Sequence, residues 1–107
     1  MLLPILGIDG ASLVSAAPYR RGRIGDVKGV QVDLLLQTKS TAYVVEIKRQ
    51  TKIEASVVDE IKDKVRRLGY GPATSVRTVL VYEGDLAPSV RLDHELDFII
   101  PADRLFE

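Results

Sequence analysis

Residues 30–37 and 41–49 form two apolar runs separated by Thr38-Lys39-Ser40, and this spacing restricts the chain more than any other feature. Each run has the length and the apolar content of a strand from the core of a sheet. A short polar break between two such runs makes a hairpin, so the two strands are antiparallel neighbours. Both carry acids where the core of a sheet should be: Asp33 in the first run, Glu46 in the second, with Lys48 two residues on. A charge in such a place is costly unless something neutralises it. Two carboxylates about 4 Å apart repel by roughly 4 kcal/mol at an effective dielectric of 20. A divalent cation removes that repulsion, and a nearby lysine adds a second positive charge.

The remaining segments build a sheet around this pair. Residues 1–10 contain Pro4, Gly7 and Gly10 and give a short turn of helix followed by a loop. Residues 12–20 form a weak strand, placed at an edge because Pro18 cannot donate a ladder hydrogen bond. Residues 21–29 hold three glycines and several charges and form a flexible connection. Thr51-Lys52-Ile53-Glu54 matches a capping box, with Thr51 at the N-cap. Ile53, Val57, Ile61, Val65 and Leu68 then trace one apolar stripe of an amphipathic helix, ended by Gly69 and Gly71. Residues 76–82 form a fourth strand, reached after a helix and so parallel to an earlier one. Glu83, Gly84 and Asp85 read as a turn. Residues 97–100 form a short fifth strand stopped by Pro101, and 102–106 a closing turn of helix. The expected fold is α/β, a mixed central sheet of four to five strands in the order β-β-β-α-β-β.

Composition narrows the chemistry. At 107 residues the chain is one domain, and its formal net charge is zero, so attraction to polyanions has to come from a local patch. There is no cysteine and the only histidine is His94, which excludes thiolate sites and multi-histidine zinc sites. A metal here is hard and oxygen-ligated, Mg2+ or Mn2+. No apolar run reaches the roughly 18–20 residues that span a bilayer. The N-terminal apolar run is too short for a signal peptide and lacks a basic leader, so the expectation is a cytoplasmic protein without membrane association. The same run reads as the start of a domain cut from a longer chain, or as an arm packing on a partner. With Phe106 it leaves a homodimer open.

Three acid-x-Lys tripeptides occur: Asp26/Lys28, Glu46/Lys48 and Glu60/Lys62. Glu60 and Lys62 fall two apart on a helix, where they do not face each other, and read as solvated charges. Asp26 and Lys28 lie in the glycine-rich connection. Glu46 and Lys48 alone lie on a strand, where a spacing of two puts both on one face, and Gln50 continues it. Across the hairpin, Asp33 falls near Glu46, although a one-residue slip would turn it to the other face.

The pattern Asp33, Glu46-x-Lys48 and following helix resembles the PD-(D/E)XK nuclease superfamily, over residues 12–82. More narrowly, residues 29–39, the Glu46-Ile47-Lys48-Arg49 strand and residues 100–105 look like the C-terminal domain of prokaryotic AAA-type ATPases of uncharacterised role. The resemblance implies a restriction-endonuclease-like core. It implies that Asp33 and Glu46 hold magnesium, and that Lys48 positions or activates the attacking water in Mg-dependent endonuclease cleavage of DNA. It also implies an upstream ATPase domain as a partner. Members usually begin with a helix carrying a further acid. Here Asp9 is the sole acid before the first strand, so that helix is truncated or absent.

Other cations fit a nucleic-acid interface. Arg20, Arg21, Arg23 and Lys28 cluster beside glycines as a phosphate-contacting loop, with Gln50 as a further contact. Tyr19 fits packing at a strand end better than base stacking. Lys62, Lys64, Arg66 and Arg67, interleaved with acids, read as the outward face of the helix. His94 has no assigned role. A non-catalytic module, binding DNA or docking to a partner, is the competing expectation.

Overall fold

The computed structural model describes residues 2–91 and 95–106, the last without its side chain; His94 and the Phe106 side chain, noted above, lie outside the described residues. Five strands form one mixed sheet in the order β1 (Leu13–Arg21), β2 (Val30–Thr38), β3 (Thr41–Ile53), β4 (Ser75–Leu86) and β5 (Phe98–Pro101). β1, β2 and β3 are an antiparallel meander, and β3, β4 and β5 are parallel. The crossover from β3 to β4 carries a helix of about three and a half turns, α2 (Ser56–Leu68), the one long helix among the described residues. The α/β mixed sheet and the edge position of β1 are thus as expected. Among the described residues no helix is long and apolar enough to cross a membrane.

Both faces of the sheet are covered. Under α2, Val57, Val58 and Ile61 pack with Ile53, Leu80 and Leu86, while Val65 and Leu68 pack over Val30, Val32, Leu35, Ala42 and Val44. On the opposite face, the N-terminal helix α1 (Leu2–Ile5), Leu6 and Ile8 cover Leu36, Val45, Val79, Val81 and Ile100. The apolar N-terminal arm therefore packs on the chain's own sheet, where Leu2, Leu3 and Ile5 are half-buried. Ile61 has no exposed surface. Ile61→Val is expected to cost about 1 kcal/mol in chemical denaturation. No loss would show that α2 does not press on the sheet at this point.

Three boundaries differ from the sequence expectation. The capping box is not formed: β3 continues through Thr51 to Ile53 because Lys52 pairs with Asp85 and Ile53 with Leu86. The helix starts at Ser56, and its N-cap is Ala55, which makes no side-chain cap. Ile53 is thus a strand residue that still packs with the helical stripe. Glu83, Gly84 and Asp85 are strand, not turn, for the same reason: they pair with the extended end of β3. Asp97 precedes β5. Its carboxylate accepts from the Thr78 backbone N–H at 2.8 Å and from the Thr78 hydroxyl at 3.1 Å, which fixes the entry to that strand. The helix end is as expected, with Gly69 in the left-handed conformation at φ 68°.

Two bulges set the faces. Between Ala17↔Leu35 and Tyr19↔Val32, β1 advances two residues while β2 advances three. Between Arg49 and Lys52, β3 advances three residues while β4 advances two, opposite Gly84. Each extra residue reverses the inside–outside alternation beyond it. That is why Val32 and Leu35, an odd number apart, both lie under α2, and why Ala42 and Val44 share that face with Ile53.

Candidate metal centre

Ala42 and Val44 face α2, so strand alternation carries Glu46 and Lys48 onto the same face. Asp33 joins them through the β2 bulge. The β2–β3 register runs from Gln37↔Ala42 to Leu34↔Val45, and one further step sets Asp33 opposite Glu46. Beyond that last pair the Ile47 backbone N–H donates to the Asp33 carboxylate at 2.8 Å, in place of a ladder partner. The structure therefore brings the three residues of the acid–acid–lysine pattern onto one face, at the point where β2 and β3 separate.

α2 closes the site from above with two charges that sequence reasoning left in solvent. Lys64 donates to Glu46 Oε2 at 2.9 Å, and Lys48 donates to Glu60 Oε1 at 2.8 Å. Lys64 also lies 3.9 Å from Glu60. Signals for both were present: Glu60 is three residues after Val57 and Lys64 three after Ile61, so both flank the apolar stripe that faces the sheet.

Glu46 is 1% exposed, and its Oε1 is buried with no hydrogen-bond partner. Burial raises its pKa above the ordinary value; the hydrogen bond and charge of Lys64 pull it back, Asp33 pushes it up again, and Lys48 lowers it. Asp33, Glu46 and Glu60 against Lys48 and Lys64 leave three acids and two cations in the cluster.

The donor set fits a hard divalent cation. The unpartnered oxygen of Glu46 accepts and cannot donate when ionised, and Asp33 stands beside it. Among the described residues no three carboxylate, histidine or cysteine side chains group as a metal cage. Two carboxylates suffice for magnesium, which keeps several waters and shares its sphere with substrate phosphates.

The basic loop is only partly a free cationic surface. Arg21 donates to the Arg67 carbonyl at 3.0 Å and to the Lys28 carbonyl at 3.4 Å, so it ties the loop to the end of α2 rather than offering itself to phosphate. Arg67 answers by donating to the Gly29 carbonyl at 3.1 Å. Arg23 donates to the Gly25 carbonyl at 3.1 Å from a tight excursion closed by the Ile24–Val27 bridge. Tyr19 packs under α2, as expected, and Arg21 reaches α2, so Arg20 between them projects from the opposite face. Lys28 is exposed on the loop beside the helix end. Gln50 is exposed in the β3 bulge, beyond the point where the alternation that carries Glu46 and Lys48 breaks.

Comparison of the chain with protein-family models, with curated proteins and with solved structures finds no match.

Proposed function

We propose that this chain is a metal-dependent phosphodiester hydrolase-like domain acting on DNA, built on a restriction-endonuclease-like core. The observation that carries the reading is Glu46. It is a buried carboxylate with an unpartnered oxygen, next to Asp33 and two residues from Lys48 on the same strand face. A divalent cation bound there supplies positive charge to a phosphate and lowers the pKa of a water. Asp33 and Glu46 hold the cation. Lys48 orients the attacking water or meets the charge that builds on phosphorus. Its pair with Glu60 does not block this role: the Glu60 side chain is 43% exposed against 20% for Lys48, so the acid can turn to water while the lysine stays at the site. Of the loop cations, Arg23 and Lys28 support a backbone contact better than Arg21 does.

Supercoiled, linear and branched DNA, incubated with the chain in Mg2+ or Mn2+, is the direct test. Cleavage is expected. It should vanish in Glu46→Ala and fall by about 100-fold or more in Lys48→Ala. Failure to cleave any of the three, together with failure of Mn2+ to bind, would falsify the reading.

A second reading is a catalytically inactive module, binding DNA or docking within an AAA-type ATPase. The internal pairing of Lys48 with Glu60 and of Lys64 with Glu46 favours it, since both site lysines already have carboxylate partners in the fold. It predicts that Lys48→Ala leaves DNA or partner binding intact.

A further inference from the structure

Lys64 occupies an unusual place for a helix lysine. Its ammonium is 2.9 Å from Glu46 Oε2, its side chain is 19% exposed, and the carboxylate it meets is 2% exposed. Lys48, the lysine of the strand motif, is turned to Glu60 instead. The cation in contact with the buried acid therefore comes from α2, not from β3. A second attachment point lies at Glu60, one helical turn back and 3.9 Å from the same ammonium. Glu60 is solvent-facing, so Lys64 can leave Glu46 without entering water alone.

We propose that Lys64 is a resident stand-in for the divalent cation, occupying the Glu46 carboxylate until the cation displaces it toward Glu60. This rests on the reading of Asp33 and Glu46 as the metal ligands. It assigns Lys64 a positioning role through Glu46, and it makes metal binding a competition between an ammonium and an ion for one carboxylate.

Calorimetric titration with manganese chloride at pH 8, where protonation competes least, separates this role from a structural one. Lys64→Met should bind Mn2+ about tenfold or more tightly than wild type, because the competitor has gone. Lys62→Met makes the same charge change on the same helix, but Lys62 pairs with Glu95 at 2.8 Å; it should stay within about twofold of wild type. Tight binding by Lys64→Met when wild type binds weakly or not at all also supports the proposal. Wild type binding while Lys64→Met binds no more tightly than Lys62→Met overturns it and leaves the metal reading standing. Absence of binding in all three overturns both. A second readout needs no variant. In the wild-type chain, the 15N signal of the Lys64 ammonium should lose its protection from solvent exchange on saturation with Mg2+, while that of Lys62 is unchanged. A Lys64 signal that stays protected in the saturated protein overturns the displacement.

Discussion

Gly84→Ala should lose about 4 kcal/mol or more of stability, a large part of what a domain of this size possesses. A Cβ at this position would lie 1.7 Å from the Gln50 carbonyl oxygen and 2.9 Å from its carbon, and both are backbone atoms that cannot rotate away. Its φ of 127° is also a conformation that side chains with a Cβ rarely adopt. The two effects have one origin. The β3 bulge pushes the Gln50 carbonyl toward β4, and glycine is the residue that lets β4 stay in register opposite it. Relief requires the ends of β3 and β4 to separate, which exposes Ile53 and Leu86 from the core under α2. Gly71→Ala is the matching control: a Cβ there meets nothing within 4 Å and φ is ordinary, so the change should be small. Chemical denaturation of the two variants decides the matter. A Gly84→Ala variant as stable as Gly71→Ala would mean that the strands do not approach as closely as the register requires.

The parts of the fold that local signals determine are legible in the chain. The Thr38–Ser40 break pairs β2 with β3, the stripe through Val57, Ile61, Val65 and Leu68 turns α2 onto the sheet, and Gly69 ends it. The parts that depend on distant partners are not. Thr51 and Glu54 carry a sound helix-start signal, and Glu83, Gly84 and Asp85 a sound turn signal. Each is overridden by the other, because the two segments pair as parallel strand, and neither window contains its partner. The same holds at the site. Alternation from Val30 and Val32 counts Asp33 onto the face away from α2, and only the bulge opposite Pro18 reverses that count. Glu46 and Lys48 are two apart on an uninterrupted stretch of strand, so their shared face follows from sequence alone. Lys64 and Glu60 were hidden by the convention that charges on an amphipathic helix point outward, which the flank of a stripe does not obey.

Lys64→Met should cost about 3 kcal/mol at pH 8, because it leaves a buried carboxylate with neither oxygen directly paired. The deficit depends on pH, and its sign follows from the direction of the Glu46 shift. Burial already raises that pKa above 4.5, and Lys64 supplies the hydrogen bond and the largest charge that lower it. Removing Lys64 raises it further. Between the ordinary value and the raised one the folded protein holds more protons than the unfolded chain, so stability falls as pH climbs through the folded-state pKa. It is recovered on acidification, once Glu46 is neutral in the fold. Urea denaturation at pH 5 and pH 8 should therefore show a large gap between wild type and Lys64→Met at the higher pH and a smaller one at the lower. Equal stability at pH 8 would mean that Lys64 does not hold the Glu46 charge. The double variant Glu46→Leu/Lys64→Met removes the charge and its counter-charge together. It should match or exceed wild type, by up to about 4 kcal/mol, and lose this component of the pH dependence. Such a gain, accompanied by loss of Mn2+ binding, is the signature of a pair kept in the core for its chemistry and at the expense of the fold. A double variant less stable than wild type would instead make Glu46 and Lys64 a structural pair, and Asp33 merely the acceptor that closes the end of the β2–β3 ladder.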